Sequence, residues 1–400
     1  MRNCTIIIVL FVGLSLVQSV SAMPNFARKY GLACTSCHNG VPRLNEMGYL
    51  FRAAGYRMPA DIGKEEKKID IGDLIVARTQ VRADWNQTES PTGAVTNNSK
   101  QINFAEFTFY PLTGAVTGNI SSIIELSLAS DEPFEIENAY VRYTTGQENS
   151  FFSCKAGIFH PFEGYGGSDR PLSLSRPLMQ TSKASGSVFK SWGYDEVGID
   201  VGYDFGNTSV HATLFNGILG SGEPAQGGGL VKTKGQPSFN NKDFQFFVNQ
   251  RLTDDGGGIS GYLYMGSTDK SSSEQNTFKR YAVYASYPIS QLLLLGGVQA
   301  GGDDFNDSTG KSLSSVKNMG FFGEADYNIS EPLWVGARFD NFNPNNDNSD
   351  AVMQAITVFA NYSFYNGLQF IAEYQNRSNK QGSAGSQKIN ALQLRMILIY

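Results

Sequence analysis

The sequence predicts an all-β chain: an antiparallel transmembrane barrel of about sixteen strands behind a small α-helical domain at the N-terminus. Three observations carry this expectation: an export signal at the start, alternating segments of about ten residues after residue 69, and an unusual composition. The 400 residues include 43 Gly and 12% aromatic but only 17% charged residues, the balance of a mostly β chain. The mean hydropathy is slightly negative, which suits a barrel because half of every strand faces a polar lumen. A net charge of −5 argues against a nucleic-acid partner. The chain also lacks a phosphate-binding glycine loop, a Ser-His-Asp order and a zinc-ligand cluster.

Arg2 and Asn3 precede an apolar run from Thr5 to Val17, and the small residues Val20-Ser21-Ala22 follow. This reads as a signal peptide, residues 1–22, cleaved after Ala22. The run is too short for a spanning helix, which needs about 20 apolar residues. Cys4 leaves with it, so the mature chain keeps Cys34, Cys37 and Cys154.

The remainder divides into residues 23–68 and 69–400. In the first part a helix is predicted from Pro42 to Ala54, with Pro in its first turn, Leu44, Met47 and Phe51 on one face, and Gly55 as the cap. About 45 residues cannot bury a core unaided and need a staple. In the second part alternation is strict. Phe244, Phe246, Val248 and Leu252 oppose Gln245, Asn249 and Arg251; Tyr281, Val283, Ala285 and Tyr287 oppose Arg280, Tyr284 and Ser286; Leu368, Phe370, Ala372 and Tyr374 oppose Gln369, Glu373 and Gln375.

Short breaks at Pro111–Gly114, Phe205–Thr208, Thr253–Gly257, Tyr287–Ser290, Ile329–Pro332 and Tyr365–Gly367 read as periplasmic turns. Long breaks near 86–100, 161–195, 218–242, 268–277, 301–317, 342–352 and 377–386 read as extracellular loops. That rhythm is porin-like, and an even strand count leaves both termini periplasmic. The first strand is expected from Ile71, and the last, Ala391 to Tyr400, ends on an aromatic residue.

The chemistry lies in Cys34-Thr35-Ser36-Cys37-His38. Two thiols separated by two residues add to the vinyl groups of a haem, and the adjacent imidazole reaches the iron. The expected cofactor is one covalent c-type haem, with His38 as the proximal ligand. A disulfide, half a zinc site and a redox dithiol are the competing readings of the spacing. For the sixth ligand Met58, in Tyr56-Arg57-Met58-Pro59-Ala60, is the candidate; Met47, His211 and an open or water-filled site are alternatives. His160 reads as an interface or loop residue.

Arg78, Arg82, Arg142, Arg251, Arg280, Arg338 and Arg395 have lumen-facing parity and suit haem propionates. With Glu106, Glu125, Glu324, Asp326 and Glu373 they also read as an ordinary charged lining. Asp303, Asp304, Asp307, Asp347 and Asp350 fall in the expected outer loops, where turn chemistry explains them. Cys154 has the parity of Ala156 and Ile158, toward lipid.

The run from Pro24 to His38, PNFARKYGLACTSCH, with Val41-Pro42-Arg43-Leu44-Asn45 and Gly55-Tyr56, resembles the monohaem cytochrome–porin fusions of the outer membrane, the family that includes the fused Fe(II) oxidases. It departs from the iron oxidases at Lys29-Tyr30, where they more often carry Gln-Thr. The stretch from Gly157 to Met179 is also similar to phosphate- and pyrophosphate-type porins. The resemblance implies a haem domain that plugs or lines the barrel and passes electrons across the outer membrane. Extracellular Fe(II) and a periplasmic cytochrome would be its partners, and the activity that of an iron:cytochrome oxidoreductase. An outward electron conduit and a diffusion porin for anions or small solutes with an accessory haem are the alternatives.

Overall fold

Side chains that alternate between apolar and polar along a strand can be satisfied only by a sheet with one greasy and one polar face, and closing that sheet removes its edges. The structure, a computed structural model, describes residues 24–65, 70–129, 134–162, 170–191, 195–218, 242–271, 273–364 and 367–400. The expected signal segment 1–22 and most of the expected loop 218–242 lie outside the described residues, as does part of the turn at Tyr365–Gly367.

The first eight strands are β1 (Val76–Glu89), β2 (Val95–Ala115), β3 (Ile120–Ala129), β4 (Glu135–Gln147), β5 (Ser150–Phe159), β6 (Glu196–Phe205), β7 (Thr208–Phe215) and β8 (Asp243–Arg251). The second eight are β9 (Gly258–Ser271), β10 (Glu274–Ile289), β11 (Leu292–Asp307), β12 (Ser312–Ser330), β13 (Leu333–Asn343), β14 (Met353–Phe364), β15 (Leu368–Lys380) and β16 (Ser386–Ile399). Each pairs antiparallel with its sequence neighbours, and β1 pairs with β16 from Arg78 opposite Ile399 to Glu89 opposite Lys388, which closes the barrel.

The parity read from the sequence holds. On β10, Tyr281, Val283 and Tyr287 are more than half exposed on the outside, whereas Arg280, Tyr284 and Ser286 are buried inside. Outward Tyr143, Tyr203, Phe205, Tyr287, Tyr327 and Tyr400 lie near the short-turn end of the barrel. Such a ring of aromatics belongs at a membrane interface.

Several expected boundaries are corrected. β1 begins at Val76, because Asp70 accepts from Gly72 N at 2.9 Å and caps a 3-10 turn over Ile71–Asp73. Pro111–Gly114 is not a turn: β2 continues to Ala115 through a register shift between Phe109 and Leu112, and the turn follows at 116–119. A bulge accommodates Pro111, which has no N–H to give to a ladder. The segments near 86–100, 268–277, 301–317 and 377–386 are largely extensions of paired strands rather than long loops. Both faces of these extensions meet water, so alternation fades while pairing continues; Val95 and Ile102 on β2 are both exposed. Asp303, expected in an outer loop, is therefore on β11, buried in the lumen, where it pairs with Arg280 at 2.9 Å.

Two segments pack against the inner face of the barrel. Residues 24–65 close its short-turn end with helices α1 (Pro24–Tyr30) and α2 (Glu46–Ala53). Arg57 donates to Gly118 O and, at 2.9 Å, to Ile120 O; Arg142 donates to Arg52 O at 2.6 Å; Gln369 donates to Val41 O at 2.7 Å. Residues 170–191, including the single turn α3 (Leu178–Thr181), run inside the barrel. Leu174 N donates to Glu373 at 2.7 Å, Gln299 donates to Met179 O at 2.8 Å, and Arg338 donates to Ser173 Oγ at 2.8 Å.

Candidate haem site

The Cys-X-X-Cys-His turn is built from its own backbone. Cys37 N and His38 N both donate to Cys34 O at 3.0 Å, and Cys34–Ser36 forms a 3-10 turn. The chain then reverses. His38 bridges antiparallel to Leu44, and Asn39 N donates to Arg43 O at 3.0 Å. This hairpin presents the Pro42 and Arg43 carbonyls to His38 Nδ1 at 3.2 and 3.3 Å. An N–H donated from Nδ1 leaves the lone pair on Nε2, the nitrogen then available to a metal. Burial pushes His38 down to about 4, so at neutral pH the imidazole is neutral, the form that ligates.

The hairpin also explains why α2 starts at Glu46 rather than Pro42. Residues 42–44 are committed to the reversal, and Asn45 is the cap: its Oδ1 accepts from Gly48 N at 2.9 Å while its Nδ2 donates to Ser36 O at 3.1 Å. One side chain thus ties the helix to the cysteine turn. Gly48 permits the approach, since a Cβ there would clash with the Cys37 carbonyl. Cys34 and Cys37 are free and form no disulfide. Burial pushes the Cys34 thiol up to about 11 and raises Cys37, which disfavours the thiolate that a redox dithiol requires.

Beside this turn is a cavity of about 320 Å3, within the range of about 300–1,000 Å3 for small-molecule sites. One wall comes from the N-terminal segment, with Phe26, Tyr30, Cys37, His38, Phe51 and Tyr56; the other comes from the barrel, with Val76, Arg78, Tyr110, Tyr140, Lys155, Phe159 and His160. Phe26 stacks on Tyr56 at 5.5 Å and meets Phe51 edge-on at 5.1 Å. Tyr56 and Tyr140 join the walls, hydroxyl to hydroxyl, at 3.2 Å. Arg78, Arg142, Lys155 and Arg170 add positive charge. Flat aromatic walls, a thiol, a neutral imidazole and several cations fit an apolar macrocycle that carries two carboxylates.

Not every expected residue meets here. Cys37 and His38 line the cavity; Cys34, at the start of the same turn, and Met58 do not. Met58 is half-buried and immediately precedes the 3-10 turn Pro59–Asp61. Of the seven arginines, Arg78 and Arg142 line the cavity, while Arg82, Arg251, Arg280 and Arg338 pair with Asp84, Glu46, Asp303 and Glu324 and Arg395 donates to Gln80 at 3.4 Å. His211 does not line it either; it meets Asp200 at 3.1 Å and lies against the Phe162 ring. His160 and Lys155 do. Lys155 shares the inward parity of Ser153 and Phe159 on β5, a signal present in the sequence.

No family model matches the chain, and no curated protein matches it. Solved structures do. OmpT of Vibrio cholerae, an outer membrane protein, aligns with a TM-score of 0.53 at 11% identity, over 82% of this chain and 99% of its own. The fold is that of a porin. An anion-selective porin from Comamonas acidovorans aligns with a TM-score of 0.53 at 10% identity, over 82% of this chain and 99% of its own. The outer membrane channel DcaP of Acinetobacter baumannii aligns with a TM-score of 0.51 at 12% identity, over 84% and 99%. At such identities the likeness is one of architecture.

Proposed function

We propose that this chain is an outer-membrane electron conduit: a porin-like barrel with one c-type haem attached through Cys34 and Cys37, and His38 on its iron. The observation that carries this reading is the shared cavity, in which the Cys37-His38 turn and the barrel wall enclose one space. When bound, the haem supplies a reversible one-electron couple. The chain's own residues would hold it: His38, fixed in tautomer by the Pro42 and Arg43 carbonyls, would face the iron, and Arg78, Arg142, Lys155 and Arg170 would offset the propionate charge. One electron from each extracellular Fe(II) passes inward to a periplasmic ferric cytochrome, leaving Fe(III) outside.

A hydrocarbon layer of about 30 Å separates the two partners, so a carrier confined to one face cannot serve both. A site inside the lumen meets that need. Above the cavity, aromatic rings of the described residues follow one another along the interior. Phe159, in the cavity wall, meets Phe215 at 5.4 Å, Phe215 meets Tyr264 at 6.3 Å, and Phe189 stacks on Tyr264 at 4.8 Å and on Phe278 at 4.4 Å. Phe278 lies four residues from the start of β10, near the end opposite the short turns.

The second reading is diffusion of anions or small solutes, favoured by the porin architecture. The segments 24–65 and 170–191, which bond to the barrel's inner face, narrow the path such solutes would take. In planar bilayers the haem-loaded protein is expected to show no sustained open-pore conductance. Steady stepwise conductance of a size usual for porins would favour the diffusion reading.

A further inference from the structure

We propose that His160 is the second axial ligand of the haem iron, with Asp195 orienting its ring; this rests on the haem reading above. The chain has three histidines. His38 belongs to the N-terminal wall of the cavity, and His160, directly after β5, belongs to the barrel wall of the same cavity. His211, on β7, meets Asp200 of β6 and does not line the cavity. A haem seated between the two walls thus has an imidazole on each.

The chemistry around His160 is that of a metal ligand. Its Nε2 is 3.0 Å from Asp195 Oδ1. The carboxylate faces the ring at ion-pair distance rather than along an aligned hydrogen bond, and a negative charge beside an imidazole makes its ring nitrogens stronger donors to a metal.

The competitors lack that support. No methionine occurs among the described residues that line the cavity; Met58 precedes the neighbouring turn Pro59–Asp61, and Met47 lies on α2 without lining the cavity. Lys155 does line it, but its ammonium sits 3.7 Å from the centre of the Phe159 ring and 5.2 Å from that of Phe162. Those contacts favour the charged amine, which cannot ligate. Methionine at the axial position raises a haem potential, so two imidazoles give a lower-potential couple than the Met58 expectation implies.

The test reads ligation separately from attachment. Haem stain of the denatured protein reports covalent attachment alone, and the ferric absorbance and EPR spectra of the folded protein report the axial ligands. Wild type is expected to stain and to be six-coordinate and low-spin, without the red charge-transfer band of His/Met haem. His160→Ala is expected to stain equally but convert the ferric haem to high-spin, and His160→Met to restore low spin and gain the red band. Met58→Ala is expected to change nothing. Heat-modifiable gel migration shows that each variant has folded, and His160→Met keeps the test open should His160→Ala fold poorly. A stained wild type that has the red band and loses it in Met58→Ala overturns the assignment, as does a low-spin spectrum that survives His160→Ala or is lost in Lys155→Ala. A wild type that never stains overturns the haem reading and this assignment together.

Discussion

The double variant Cys34→Ala/Cys37→Ala is expected to lose all haem stain after denaturation while its barrel still migrates as a heat-modifiable species. The expectation follows from the separation of tasks in the structure. The strands close through their own ladder, whereas Cys34 and Cys37 sit on a turn whose contacts to the barrel run through other residues such as Arg57 and Asn39. Loss of thioethers therefore removes the cofactor without removing the container. Expression of the wild type with the c-type maturation machinery supplies the comparison. A wild type that takes up no covalent haem, or a double variant that stains as strongly as wild type, contradicts the assignment of the motif.

The second large effect is on stability. Arg338 is fully buried; it pairs with Asp340 at 2.9 Å and Glu324 at 3.2 Å and donates to Ser173 Oγ and Ser175 O of the inner segment. Removing one partner from a buried ion pair costs about 3–5 kcal/mol, because the remaining charges are left uncompensated. Arg338→Leu is expected to lose that amount in denaturant unfolding in detergent and to expose residues 170–191 to protease. Adding Glu324→Gln and Asp340→Asn to the same chain is expected to recover part of the loss, since the orphaned charges go with them. Unchanged unfolding and unchanged protection of the inner segment in Arg338→Leu would mean that this cluster does not hold the segment in the lumen.

How much of this was legible in the sequence depends on what each residue answers to. Parity along β8, β10 and β15 was readable because one face meets an apolar and the other a polar environment, and a slip of one residue would exchange them. The outer hairpins were misread as loops because residues such as those from Val95 to Phe104 on β2 meet water on both faces and carry no alternation. That Cys34, Cys37 and His38 share one turn is legible because their spacing is local. Whether a methionine before a proline stands at a cavity depends on contacts between residues distant in sequence, and Met58 is not among the residues that line this one. His160 looked like an interface residue for the same reason. Only the docking of residues 24–65 into the barrel brings it to the wall opposite the motif's own segment.

The most direct measurement uses sealed liposomes that contain the haem-loaded protein in the membrane and ferric cytochrome c trapped inside, with Fe(II) added outside at neutral pH. Reduction of the trapped cytochrome by the wild type, with little or none by the Cys34→Ala/Cys37→Ala variant, is the predicted result. Equal reduction by both proteins would mean that Fe(II) itself diffuses through an open pore, and no reduction by the haem-loaded wild type would mean that the barrel does not conduct electrons inward; either result contradicts an inward electron conduit built on this haem.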